Sequence, residues 1–390
     1  MFLFDNFSRK ILSSLPSFIS VFISLTMGSI PNAKAVPTLV NSDRFKVELF
    51  VDLASIDPDL DAFQLTISSG ENGFPAGLYV TPGPSFLPGG NRLMRIDHAG
   101  TISIVTDQLN SAESMLFARG SYGDGILISE PRDQRIRRLL SDGTLTTFAS
   151  NISSSPFGPP VLTYGPGGVI FATDGSIGSD SQASRDILQI NSDGSSNVFA
   201  SVSSAIFPEP TLTTFIHRHK PAAYASINDL GQWQEGGGFV TGTFSLQTDG
   251  EATMNDALFL VNLDGTSTLL VDGLSGLELI ELGPGGVFGS DLFVATEGSS
   301  FGNDDGTLFT LKPDGTLIPF LTNIDAIDVA FDTEGILGGG LFVSDGTNRA
   351  GAGKIWRITS VTVPESSSLL SLFTFSILVI SLIPKHKHNN

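Results

Sequence analysis

The feature that most constrains this chain is a short turn that recurs between apolar strands. Asp97-His98-Ala99-Gly100, Ser141-Asp142-Gly143, Ser192-Asp193-Gly194, Leu263-Asp264-Gly265 and Pro313-Asp314-Gly315 are five versions of it. Asp followed by Gly supplies the positive-φ positions that a tight hairpin needs. Apolar segments precede the turns at residues 92–96, 135–140, 187–191, 258–263 and 308–312, and others follow at 102–107, 145–150, 197–202, 267–272 and 317–322. With 43 Gly and only 16% charged residues, the composition favours short strands and turns over long amphipathic helices.

A second motif precedes each strand pair. It is a turn leading into a buried strand, and it recurs six times: Gly77-Leu78-Tyr79-Val80, Gly125-Ile126-Leu127-Ile128, Gly168-Val169-Ile170-Phe171, Gly238-Phe239-Val240-Thr241, Leu292-Phe293-Val294-Ala295 and Leu341-Phe342-Val343-Ser344. A spacing of about 45–55 residues suits four-stranded propeller blades. Residues 203–236 lengthen one interval and read as an insertion. The sixth copy lacks its outer strand, because residues 354–359 run directly into the tail. Residues 46–53 match the outer strands elsewhere and would complete that blade. The expected fold is an all-β six-bladed β-propeller over residues 43–361, closed by an N-terminal strand. An open solenoid of six hairpin units is the alternative.

The segments Ala326-Ile327-Asp328-Val329-Ala330-Phe331-Asp332, Leu341-Phe342-Val343-Ser344-Asp345 and Lys354-Ile355-Trp356-Arg357-Ile358 resemble an NHL-type repeat. The same order, repeated loosely over residues 60–360, is similar to the regucalcin, gluconolactonase and paraoxonase propellers. The likeness is one of repeat shape, which points to a fold more than to an activity.

Both ends read as targeting segments. Arg9 and Lys10, an apolar run over residues 11–30 and Ala33-Lys34-Ala35 have the order of a signal peptide spanning residues 1–35. At the other end, Val363-Pro364-Glu365 precedes a serine triplet, an apolar run over 369–383 and Lys385-His386-Lys387-His388. The run is short for a full span and is expected to form a C-terminal hydrophobic helix. This three-part tail, residues 363–390, resembles the PEP-CTERM sorting signal, with Ser366 in place of the final Pro and Lys and His in place of Arg. The resemblance implies an exosortase-type partner, transient membrane attachment through the tail, and delivery to the cell surface or extracellular matrix of a Gram-negative-type bacterium. A plain membrane anchor is the alternative.

The net charge of −19 opposes binding to nucleic acid, and the absence of Cys excludes disulfides and thiol chemistry. Aligning the repeats places Glu113, Glu278 and Asp328 at the starts of innermost strands. Glu130, Asp174, Glu297 and Asp345 end the second strands, on the same face of the disc. Converging carboxylates suit Ca²⁺, a hard cation that takes oxygen ligands, so Glu113, Glu278 and Asp328 are the candidate metal ligands. Regucalcin-like lactonases hold a central divalent ion with acidic residues and Asn; no matching Asn set aligns here, and Asn228 falls in the insertion. Asn303-Asp304-Asp305-Gly306 resembles part of a calcium loop but fits an ordinary Asx-turn. His217-Arg218-His219-Lys220 reads as a solvated loop.

No familiar catalytic signature is present. The leading expectation is therefore a non-catalytic binding or structural propeller of the cell envelope or matrix. A third possibility is a surface protein that binds envelope or matrix polysaccharide, with Trp233 the candidate aromatic contact. The rival is a divalent-metal lactonase or esterase, in which the ion would polarise a carbonyl or activate water.

Overall fold

The computed structural model describes residues 36–57, 60–81, 91–152, 161–173, 186–201, 216–246, 256–296, 305–346 and 353–361. The proposed signal peptide, Asp174, Glu297, Asn303, Asp304, the sorting motif Val363-Pro364-Glu365 and the expected C-terminal helix lie outside these residues. Among the described residues no helix is long and apolar enough to cross a membrane.

The strands form six antiparallel sheets, each a propeller blade. Blade 1 comprises β3 (Gln64–Ser68), β4 (Gly77–Thr81), β5 (Leu93–Ile96) and β6 (Ile102–Thr106). Blade 2 comprises β7 (Ser114–Phe117), β8 (Ile126–Glu130), β9 (Arg135–Leu139) and β10 (Leu145–Ser150). Blade 3 comprises β11 (Leu162–Tyr164), β12 (Ile170–Thr173), β13 (Asp186–Ile190) and β14 (Ser196–Ser201). Blade 4 comprises β15 (Ile216–Ile227), β16 (Trp233–Leu246), β17 (Asp256–Asn262) and β18 (Ser267–Leu274). Blade 5 comprises β19 (Leu277–Leu282), β20 (Leu292–Thr296), β21 (Thr307–Leu311) and β22 (Leu317–Thr322). Blade 6 comprises β23 (Ala326–Asp332), β24 (Gly340–Asp345) and β25 (Lys354–Ser360), and β2 (Phe45–Asp52) supplies its outer strand. The N-terminal strand thus closes the ring as expected. A short strand not anticipated from sequence, β1 (Thr38–Leu39), adds to the outer edge of blade 5.

Contacts between successive first strands complete the circle, from β3 through β7, β11, β15, β19 and β23 back to β3. The core is divided among six hydrophobic clusters, one at each blade interface. The second strand of each blade explains this division. Side chains alternate between the two faces of a strand, and both faces of a blade are interior. In β24, Leu341 and Val343 pack toward blade 5 while Phe342 packs toward blade 1. In β20, Leu292 and Val294 face blade 4 while Phe293 and Ala295 face blade 6. A continuous apolar run is what a strand with two buried faces requires, and it made these segments recognisable.

The Asp-Gly turns form as expected. Asp97, Asp142, Asp193, Asp264 and Asp314 each accept a hydrogen bond from the backbone N–H two residues on. These bonds hold the carboxylates below their ordinary pKa. A second repeated device was not read from the sequence. Arg95, Arg138 and Arg357 occupy equivalent third-strand positions, opposite Tyr79, Leu127 and Phe342. Each guanidinium donates to carbonyls in the turn before the second strand: Ala76, Tyr122, and Gly338 with Gly339.

Blade 4 corrects one expectation. His217, Arg218, His219 and Lys220 lie in β15, paired with Ser245, Phe244, Thr243 and Gly242 of β16. The longer interval between repeats is partly an extended hairpin, not a solvated loop.

Second-strand glycines set a measurable requirement. A Cβ on Gly340, at φ +120°, would lie 2.7 Å from the Ile358 carbonyl oxygen. Gly143 also has positive φ, at +87°, but open space around it. Gly143→Ala is expected to cost about 1 kcal/mol, and Gly340→Ala about 1–3 kcal/mol more because the strand pair must part. Equal losses of stability in urea titrations would show that packing at Gly340 is not tight.

Candidate functional site

The first strands line the ring, and the next blade's first strand meets their side chains. Pairing registers place Gln64, Ser114 and Asp328 at one equivalent position, opposite Thr81, Ser129 and Ser344. All three bridge to the following blade. Gln64 Oε1 accepts from Met115 N–H at 2.6 Å, Ser114 Oγ from Leu162 N–H at 2.9 Å, and Asp328 Oδ2 from Leu65 N–H at 2.7 Å. These bonds satisfy backbone donors on strand edges that have no further strand beside them. Asp256 Oδ2 of blade 4 similarly accepts from Leu277 N–H of blade 5 at 3.0 Å. Ser344 Oγ adds a second clip from blade 6 to blade 1, donating to the Phe63 carbonyl at 3.0 Å.

This register separates the three expected metal ligands. A bulge between Leu277 and Leu279 leaves Glu278 as the extra residue, and another between Ala326 and Asp328 does the same for Ile327. Glu113 and Glu278 are therefore equivalent, whereas Asp328 lies one position further along its strand. Glu113 and Glu278 are buried and belong to blades on opposite sides of the ring. Asp328 is partly exposed and clips blade 6 to blade 1. Among the described residues, no three His, Asp or Glu side chains converge as a metal-holding group.

Other acidic candidates have structural partners. Glu130 is fully buried; Arg135 Nε donates to its Oε2 at 2.7 Å and Asn110 N–H to its Oε1 at 2.6 Å. Asp345 Oδ2 accepts from Trp356 Nε1 at 2.9 Å. Asn228 caps a turn, accepting from Leu230 N–H and Gln232 N–H. Trp233 is buried, and its Nε1 donates to the Leu311 carbonyl of blade 5 at 2.8 Å. The expected exposed aromatic contact is thus a blade-to-blade bond, because a buried indole N–H needs an acceptor.

All six blades contribute to a central cavity of about 690 Å³. Its polar lining includes Gln64, Thr66, Thr163, Glu235, Glu281 and Asp328. Glu281 was missed in the sequence. It is the fifth residue of β19, with its side chain open to channel water but surrounded by protein. That enclosure, reinforced by the Asp328 charge, raises its carboxyl to about 8. Tyr164 also lines the cavity; its hydroxyl donates to the Phe117 carbonyl and Arg119 stacks on its ring at 3.9 Å.

No protein-family model and no curated protein matches the chain. Solved structures match its fold. A gluconolactonase from Xanthomonas campestris aligns with a TM-score of 0.52 at 12% identity, covering 84% of this chain and 95% of that one. A putative gluconolactonase aligns with the same score and identity, covering 83% and 94%. A streptogramin B lyase gives 0.46 at 14% identity, covering 82% and 99%. The two gluconolactonase likenesses support the propeller fold.

Three variants separate the structural and electrostatic roles in the channel. Asp328→Ala should cost about 1–3 kcal/mol by leaving the buried Leu65 N–H without its acceptor, while Asp328→Asn keeps the clip. Equal denaturation midpoints for the two would contradict that role. Glu281 holds its proton to about pH 8 when folded, against an ordinary value of 4.5. Its contribution to stability is therefore full below about 4.5 and is lost as pH rises through 8. Thermal midpoints of Glu281→Gln should fall less over that range; an unchanged slope would refute the raised pKa.

Proposed function

We propose that this chain is an exported propeller of the cell envelope or extracellular matrix that binds a small ligand in its central channel. The cavity carries this reading. Its volume of about 690 Å³ is within the range of small-molecule sites, and all six blades line it. Closed propeller walls preorganise such a site, so little ordering is needed on binding. Leu65 and Leu162 supply apolar wall, while Gln64, Thr66 and Thr163 supply hydrogen-bonding groups.

A binding role agrees with the use of the acidic positions. Asp328, Glu130 and Asp345 hold strands and blades together. Lactone or ester hydrolysis through a divalent ion held by Glu113, Glu278 or Asp328 is the alternative. Export is supported by the N-terminal segment and by the tail's resemblance to a sorting signal. Cleavage after Ala35 would retain β1, which begins at Thr38.

Thr163→Trp should narrow the channel and weaken the binding of small ligands, with a thermal midpoint near that of the wild type. Lactone turnover is expected to be nil with calcium or with chelator. Calcium-dependent turnover that disappears in Asp328→Asn would establish the hydrolase instead. Mass spectrometry of the protein from its native host should find Val36 at the N-terminus and a C-terminus beside Pro364-Glu365. An intact chain of 390 residues would contradict export and sorting.

A further inference from the structure

We infer that the interface between blades 1 and 2 carries a second binding site, separate from the channel, for a small molecule with one aromatic ring. A repeat in the outer strands reveals it. Each outer strand has a bulge at one equivalent place, where its pairing with the third strand skips a residue. The extra residue is Val105 in blade 1, Phe148 in blade 2, Phe199 in blade 3, Leu270 in blade 4, Phe320 in blade 5 and Phe50 in blade 6. Each packs into the cluster between its own blade and the next. Blade 1 therefore puts the smallest side chain of the six at this position.

Where the extra residue is Phe, its ring has a defined seat. Phe50, Phe199 and Phe320 lie edge-on to Phe342, Phe171 and Phe293 of their second strands, with centroids 4.9, 5.1 and 5.3 Å apart. In blade 2 the Arg138 guanidinium lies 4.7 Å from the centre of the Phe148 ring. Blade 1 keeps both halves of this seat. Tyr79 stands at the second-strand position of Phe342, Phe171 and Phe293. Arg95 stands at the third-strand position of Arg138. Both are held in place: Tyr79 hydroxyl donates to the Pro75 carbonyl at 2.8 Å, and Arg95 Nε to the Ala76 carbonyl at 2.9 Å.

A pocket of about 210 Å³ opens where the ring is lacking. Phe74, Tyr79, Val105 and Leu139 form its apolar wall, Arg95 lines it, and the exposed residues Ser103 and Ser141 stand at its rim. An apolar cavity of about 150 Å³ is enough to hold benzene. An unfilled space forfeits the contacts that a large side chain makes at the other interfaces, so an entering ring recovers them. The seat also selects for aromatic character, because Tyr79 favours an edge-on ring and the Arg95 guanidinium favours a π face. A hydroxyl on that ring would meet the serine hydroxyls at the rim.

Methyl NMR of the protein titrated with phenol and with cyclohexanol tests the inference. Phenol should shift the Val105 and Leu139 methyl signals and bind about two- to tenfold more tightly than cyclohexanol. Val105→Phe should supply the ring from within. Phenol should then no longer move the Leu139 methyls, and the thermal midpoint should rise by about 1–4 °C. Thr163→Trp, which narrows only the channel, should leave the Leu139 response as it is in the wild type. Equal affinities for the two alcohols, or phenol shifts confined to Leu65 and Leu162 of the channel, would overturn the inference. So would no shift at all, a Val105→Phe protein less stable than the wild type, or one in which phenol still moves Leu139. None of these results bears on ligand binding in the channel, which Leu65 and Leu162 report separately.

Discussion

Seven residue pairs join β2, near the front of the chain, to β25, near its back. This antiparallel contact turns a row of blades into a ring. Without it, β25 would present an open edge and the interface between blades 6 and 1 would lose Val51 and Phe50. β1 extends the same strap onto blade 5, so one N-terminal segment engages two adjacent blades. Closure also fixes the inner edge of the ring. Ser344 and Asp328 reach from blade 6 to Phe63 and Leu65 of blade 1, and these bonds exist only when the circle is complete. The channel is thus a consequence of closure.

Much of the fold was legible because its signals are local. Asp142-Gly143 and its counterparts announce hairpins, and Leu341-Phe342-Val343 announces a strand buried on both faces. The displaced outer strand could be found because residues 46–53 match the outer strands of complete blades. Phase was harder to read. A bulge adds one residue to a strand, and one residue reverses the side chain's face. Glu278 lies at such a bulge, whereas Asp328 follows one. Their similar distance from the repeat motif therefore concealed different positions. Arg95, Arg138 and Arg357 did carry a signal, an arginine directly before an apolar residue in the third strand. Its purpose depends on turn carbonyls that are distant in the sequence.

The acidic character of the inner strands acquires a different meaning once register is known. Asp328 shares its position with Gln64 and Ser114, so the common requirement there is a hydrogen-bond acceptor, not a charge. In Asp328 that structural duty places a carboxyl group on the channel wall. Glu281 then faces a neighbour of like charge inside an enclosed space. The signal for Glu281 in the sequence was a lone acid in the otherwise apolar run Leu279-Ile280-Glu281-Leu282. Its significance depends on Asp328, 47 residues further along, and on the ring that brings the two strands together.

Ring closure creates the channel in which the protein surroundings and the Asp328 charge act on Glu281. Carbon-13 NMR titration of the Glu281 side-chain carboxyl measures this directly. The account predicts a midpoint near 8 in the wild-type protein and a lower one in Asp328→Asn. A wild-type midpoint at the ordinary value of 4.5, unchanged in that variant, would contradict it.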